Sequence, residues 1–249
     1  MEGGRMLRNS QIIILGICIA VATIVSSVIL SQGFLKVMKF TREQITVTGS
    51  AQKEIKSDYI VWRSMFSTRQ ADLKSGYKKL NDDFEVVKKY LIGKGVNEKE
   101  ILISQITTVK VYEKNEKGND TNEIQWYTLS QTVEVRSQEV DKIDKVSRES
   151  TELIEENIDF ESSAPEYFYT KLDELKIEML GKATENSKAR AKNMVKATGN
   201  KIGNIRSARM GVFQITPVTS TEVSDWGVND TSSIEKKVTA VVTASFAIE

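Results

Sequence analysis

Residues 12–30 read IIILGICIAVATIVSSVIL and lie inside a longer stretch, Asn9–Leu35, that carries no charge. At about 1.5 Å per helical residue they reach roughly 28 Å, close to the thickness of a hydrocarbon core. Arg5 and Arg8 precede the run, and Lys36, Lys39 and Arg42 follow it. Nothing after Leu35 is comparably apolar, so the chain divides into a short tail (1–10), a transmembrane anchor (11–35), a linker (36–44) and a water-soluble body (45–249). A cleaved signal has a shorter apolar region, about 7–15 residues, closed by a small-x-small site. Ser31-Gln32-Gly33-Phe34 offers no such site, and Leu15-Gly16-Ile17-Cys18 lacks the small residue that a lipoprotein box places before its cysteine. The run therefore reads as a retained anchor, with 12–30 in contact with the membrane. Its flanking cations nearly balance, so orientation rests on the short tail and long C-terminal body, which favour a body outside the cytoplasm.

Composition narrows the chemistry. Cys18 is the only cysteine, which excludes a disulfide within one chain. With 35 Lys and Arg against 34 Asp and Glu there is no general basic field for nucleic acid. The absence of histidine removes the commonest general base and the commonest metal ligand. No G-x-S-x-G accompanies the serines, and Gly93-Lys94-Gly95 lacks the spacing of a phosphate loop. Glu152, Glu155, Glu156 and Asp159 are spaced to gather at a helix end, as oxygen ligands of a divalent cation would be. No glycine-turn loop or second cluster supports that, so they read as a solvated acidic face. No cofactor and no enzymatic activity are expected.

Periodicity gives the body its class. Ile45–Gly49 alternates as a half-buried strand does; Ser57-Asp58 breaks the pattern, and Tyr59–Thr68 resumes it with Ile60, Trp62, Ser64 and Phe66 on one face. These read as consecutive antiparallel strands. A helix over Ala71–Ile92 follows, with Leu73, Tyr77, Leu80, Phe84, Val87 and Leu91 as its apolar stripe, stopped by Gly93 and Gly95. Strands over Ile101–Tyr112 and Glu123–Arg136 flank a hairpin loop at Asn115–Asn122. A helix over Gln138–Glu156 turns Val140, Ile143, Val146, Ser150, Leu153 and Ile154 inward, and a short extended piece starts at Phe160. The longest helix, Tyr169–Thr198, buries Leu172, Leu175, Met179, Ala183, Ser187, Ala191 and Met194, with Leu180 and Val195 beside them, and glycines 199 and 203 close it. Strands over Ile205–Ile215 and Lys237–Ile248 complete the chain. The class is α+β: an N-terminal transmembrane helix, then antiparallel sheet with packed helices, in which helix–strand–strand occurs twice, over Ala71–Arg136 and Tyr169–Ile248.

Ile45-Thr46-Val47-Thr48-Gly49-Ser50-Ala51 followed by Ser57-Asp58, Tyr127 and Ser130-Gln131 in the fourth strand, the helix Lys182–Lys196 with Gly199 and Gly203, and the final strand Val238–Phe246 together resemble the SIMPL domain family of bacterial envelope proteins. The resemblance covers roughly Thr41–Glu249. It departs at Ser57, where the family commonly has proline, and in the fewer alanines of Lys182–Lys196. It implies an exported or membrane-anchored α+β domain, often homo-oligomeric, with some members forming ring or channel-like assemblies and no catalytic residue.

Two features bear on partners. Between Glu149 and Thr170 stand seven acidic residues, Glu152, Glu155 and Glu156 among them, and no basic one; between Asn186 and Thr221 stand seven basic residues, including Lys188, Arg190 and Lys192, and no acidic one. Acidic residues early and basic residues late in the long helix complement its dipole, but the block before it needs another reason. Head-to-tail packing of copies would bring the two blocks together. The connection Gln214–Lys236 is long for a compact domain and carries Trp226, which either folds onto its own sheet or meets another subunit or partner. The expected function is thus a membrane-anchored, non-enzymatic, self-associating envelope domain. Its rival is a monomeric anchored binding module that uses the 214–236 loop.

Overall fold

The computed structural model describes residues 3–249, with side chains described for 14–38 and 43–249; the side chains of Arg5, Arg8, Ile12, Lys39 and Arg42 lie outside the described residues. Helix α1 spans Gly3–Arg42. Within it Ile14–Met38 has a mean hydropathy of 2.5, and no residue of that window is buried, so by length and composition it suits a membrane span or a signal sequence. A linker was expected over 36–44; instead the helix continues to Arg42, and Glu43 alone separates it from β1 (Gln44–Lys56). The chain forms two compact units, Met1–Ala51 with Leu180–Gly211 and Val241–Glu249, and Gln52–Met179 with Val212–Ala240, so that α1 belongs to the first. Strands β1 and β11 (Glu235–Ile248) and helix α4 (Leu172–Lys196) run through both.

The second unit holds a six-stranded antiparallel sheet. Strand β2 (Tyr59–Gln70) pairs along one edge with β5 (Asp120–Ser137), from Ile60↔Ser137 to Gln70↔Tyr127. Along the other it pairs with β6 (Asp159–Ser162) and β7 (Glu166–Phe168). The pairing of β1 with β2 expected from their order does not form, because Ser57-Asp58 carries the chain from one sheet to another. The Ser57 N–H donates to the Ile234 carbonyl at 2.8 Å and the Asp58 N–H to Phe168 at 3.0 Å. The Asp58 carboxylate then accepts from the Thr170 N–H and hydroxyl at 2.7 and 2.8 Å, which fixes the corner.

Helix α2 (Leu73–Gly93) opens on Asp72, whose carboxylate accepts from the Ser75 N–H at 2.8 Å. Its buried residues are Gly76, Leu80, Asp83, Val87 and Leu91, while Leu73 and Tyr77 face water. The stripe read from the sequence is therefore out of phase in its first turns. Gly76 causes this: a β-carbon there would come 2.7 Å from Leu129 Cδ1, so the glycine, and not its larger neighbours, meets the sheet. At the other end Gly95 takes the left-handed conformation (φ 86°) and its N–H bonds the Ile92 carbonyl.

The expected strand Ile101–Tyr112 is two pieces, β3 (Ile101–Ile103) and β4 (Thr107–Lys114), both on β5. Between them Ser104 bonds the Thr132 backbone with its own N–H and through its hydroxyl, and the register slips by one. Helix α3 (Val140–Glu149) tightens into a 3-10 turn at Ser150–Ile154. The tighter winding keeps Leu153 buried but turns Ile154 outward. Trp62, Phe66, Leu80, Val87, Leu91, Leu129, Val133, Val135, Ile143 and Leu153 form the core under these helices. In the same unit, β9 (Gln214–Pro217) pairs antiparallel with the start of β11, and β10 (Val228–Asn229) pairs parallel with β9.

In the first unit the rest of β11 pairs with β8 (Ile202–Met210), from Val242↔Met210 to Ile248↔Ile202, and the expected strand Ile205–Ile215 is divided at Gly211 between β8 and β9. Helix α4 buries Ala183, Ser187, Ala191 and Val195, with Leu175 and Met179 before them; Met194, expected inside, is exposed, and Val195, expected beside the stripe, is buried within it. The small residues have a purpose at Gly49. A β-carbon there would lie 2.3 Å from the Ala183 carbonyl oxygen and 2.3 Å from the Ser187 nitrogen, so β1 and α4 meet backbone to backbone.

Candidate interaction surfaces

The segment between β9 and β11 is braced from within. Gln214 donates from Nε2 to the Ser224 carbonyl at 2.7 Å and accepts the Ser224 N–H at 3.3 Å. The Ser224 hydroxyl accepts from the Trp226 N–H. Gly227 (φ 86°) closes the turn, where a β-carbon would meet the Phe213 carbonyl at 2.8 Å. Two consecutive lysines clasp the segment. Lys236 donates to the Tyr167 carbonyl at 2.6 Å and to that of Asp230, and Lys237 donates to Val218 and Ser220 at 3.1 and 3.0 Å. On this held loop Trp226 is 93% exposed and Val223 78%. The indole thus does not fold onto its own sheet.

Lys236 is only 3% exposed, and burial pushes its amine down, with the Asp230 charge opposing. Burial would raise the Asp230 carboxyl, but bonds from the Ser232 hydroxyl and amide, with Ser233 and Lys236, outweigh it and hold the group low. Sequence reasoning missed Lys236. Its signal was parity, because residue 236 shares the alternation of Val238, Ala240, Val242, Ala244 and Phe246 and so must point inward.

The acidic block is partly consumed locally. Lys94 bridges Glu149 and Glu152, each at 2.9 Å, with its ammonium 5.2 Å from the centre of the Tyr90 ring. The Tyr90 hydroxyl donates to the Glu149 carbonyl and to Glu152. These bonds from Lys94 and Tyr90 hold Glu152 below the usual carboxylate range, and Glu152 and Glu149 hold Lys94 charged. Glu166 pairs with Arg63, which also grips Glu134. Glu155 and Glu156 are exposed and form no ion pair among the described residues. In the basic block Lys188 and Lys192 are likewise exposed without an ion pair, whereas Arg190 donates to the Thr48 carbonyl at 3.1 Å.

Two open clefts lie in the second unit. One, about 490 Å³, is lined by hydroxyls (Ser147, Thr151, Ser162, Ser163, Ser232) around a fixed trio. In that trio Tyr167 donates to Asp144 at 2.6 Å, and Arg148 reaches the same carboxylate with two bonds, at 3.1 and 3.2 Å. Burial, then the bond to Asp144, pushes the Tyr167 phenol up to about 12. The other cleft, about 470 Å³, lies beside Tyr90, Lys94, Leu153 and Glu156. Among the described residues no group of three or more His, Cys, Asp or Glu lies close enough to hold a metal ion.

Among known proteins, the family model for SIMPL, described as "Protein of unknown function (DUF541)", matches residues 45–246. No curated protein matches the chain. The match takes in β1 and nearly all of β11, the two long strands that run through both units, along with everything between them. The chain belongs to the SIMPL (DUF541) family.

Proposed function

We propose that this protein is a single-pass, membrane-anchored module whose SIMPL domain lies outside the cytoplasm, and that it acts by association with further copies of itself and not by catalysis. The observation that carries the anchor is the bare window Ile14–Met38: 25 largely apolar residues, none buried, leave a surface that lipid would cover. Self-association draws support from Trp226, held out by a braced loop, and from the unpaired charges Glu155 and Glu156 in one unit and Lys188 and Lys192 in the other. The bracing also favours a second reading, a monomeric binding module that presents the 214–236 loop to a ligand or partner.

A phosphatase joined after Glu249 is expected to be active in cells, and the mature chain to fractionate with membranes with residues 12–30 intact. An inactive fusion, or an amino terminus beyond Ser31, overturns the anchor. Light scattering of the full chain in lipid nanodiscs then separates the readings. More than one copy per disc supports association, and a strict monomer leaves the binding module.

A further inference from the structure

We propose that the end of the first unit nearest α1 docks on anionic lipid headgroups through Lys196 and Lys201, with Lys192 and Lys36 beside them. This rests on the reading of residues 14–38 as a retained span. Its evidence is the way the strand register gathers distant parts of the chain around the exit of that helix.

Met38 closes the apolar window, and four helical residues, about 6 Å, followed by Glu43, bring the chain to Gln44. The Ile248 N–H donates to the Glu43 carbonyl at 3.2 Å, and next to it Lys201 and Glu249 exchange both backbone bonds at 2.7 and 2.8 Å. Lys201 is therefore two strand spacings, about 10 Å, from residue 43.

Helix α4 arrives at the same place from above. Asn186 accepts the Ser50 N–H at 3.2 Å and Arg190 donates to the Thr48 carbonyl at 3.1 Å, so the helix runs antiparallel to β1. Four helical residues cover about 6 Å, as two strand residues do, so the two elements stay in step. Continued back about 13 Å to Gln44, that pairing brings the helix to about Gly199, past its last turn, where the Asn200 N–H caps Val195 and the Gly199 N–H caps Lys196. Lys196 is then within about 5 Å of the level of Gln44, Lys192 about 10 Å and Lys188 about 16 Å.

The three lysines of the α4 end, Lys188, Lys192 and Lys196, and Lys201 are exposed, and none forms an ion pair among the described residues. Helix dipole and charge agree here, because the carboxyl end of α4 attracts cations and orients them outward from the last turn. Two carboxylates, Glu43 and Glu249, oppose them, and the balance stays positive. A cation within a Debye length, about 10 Å, of an anionic surface is attracted to it, and several on one rigid edge add up. Phosphate esters are the matching chemistry, and the anchor already holds them at this distance.

The test uses the full chain in nanodiscs of phosphatidylcholine alone or with phosphatidylglycerol. Lysines are acylated by an uncharged reagent and each rate is read by mass spectrometry. With phosphatidylglycerol, Lys196 and Lys201 are expected to react about fivefold more slowly, Lys192 less so, and Lys188 least, with Lys74 and Lys114 unchanged. High salt should erase the differences. In the variant with Lys196→Glu and Lys201→Glu, the protection of Lys192 should vanish. Equal rates in both lipids, in a chain that co-purifies with both discs, overturn the docking and leave the anchor standing. The same protection from inorganic phosphate in phosphatidylcholine discs assigns the lysines to a free anion and overturns the lipid claim. A chain that enters neither disc overturns the anchor, and the docking with it.

Discussion

Tyr167 shows how burial and one hydrogen bond together set a pH dependence. The phenol is 5% exposed and donates to Asp144 at 2.6 Å, and it titrates at about 12 in the fold against 10.0 when free. Because the folded value is the higher one, the stabilisation is complete below pH 10 and disappears as pH rises from 10 to 12. Tyr167→Phe should therefore cost about 1.5–3 kcal/mol at neutral pH, the worth of a bond to a charged acceptor, and the gap to the parent should close above pH 12 in denaturant titrations. A constant gap would mean that packing, not the bond, is what the phenol supplies. Helix α2 separates burial from pattern in the same way. Leu80 is fully buried, while Phe84 is only half-buried, stacked on Phe66 with ring centres 6.4 Å apart. Leu80→Ala should cost about 2–5 kcal/mol and Phe84→Ala about 1–3, whereas Lys88→Ala, which loses only a surface pair with Glu98, should be close to neutral. Equal losses for Leu80 and Phe84 would contradict the phase of the helix.

Among elements, the junction of β1 with α4 is the most demanding. Gly49→Ala must force apart two backbones that are closer than any β-carbon tolerates, and should cost about 3 kcal/mol or more. Gly181→Ala, in open space on the same helix, should stabilise by up to about 1 kcal/mol. If both are neutral, α4 is not seated on Gly49. Gly49 stands in the segment Ile45–Ala51 that carries the family resemblance, and the structure supplies its physical reason. Elements whose apolar residues recur over many turns or alternate over many strand positions were legible in the sequence: β2, β5, the later turns of α2, most of α4 and all of β11. What failed was local and had steric causes. Gly76 outcompetes Leu73 and Tyr77 because the sheet needs closeness there more than bulk. Ile154 turns out because its turn is wound more tightly. The strand break at Ser104 and the separation of β1 from β2 depend on side chains bonding backbone far away in sequence, which no periodicity reports. Of the candidate surfaces, the exposure of Trp226 was one of two open readings, and the clasp by Lys236 was written only in its parity.

For the whole molecule, the charge blocks make a prediction that the anchor alone does not. Glu149, Glu152 and Glu166 are already paired within their unit, so the steering charges left to the acidic block include Glu155 and Glu156. If copies associate through these and the free lysines, association should weaken with salt, and Lys188→Glu with Lys192→Glu should abolish it without changing the circular dichroism spectrum. Adding Glu155→Lys and Glu156→Lys should restore part of it. Association indifferent to salt and to both variants would show that the blocks are solvated surface. The junction of α1 with β1 has a further consequence. Glu43 alone stands between them, so a short connection carries the direction of the helix into β1. Each residue added ahead of Glu43 turns everything after it by about 100° and lifts it by about 1.5 Å. If α1 spans a membrane, the compass bearing of β1 around the membrane normal is then written in the residue count of the helix. Neighbours that meet through fixed faces should lose their cross-links when two residues are inserted, which turns the body roughly 200°. They should regain them with seven, which return it to within about 20° of its first bearing.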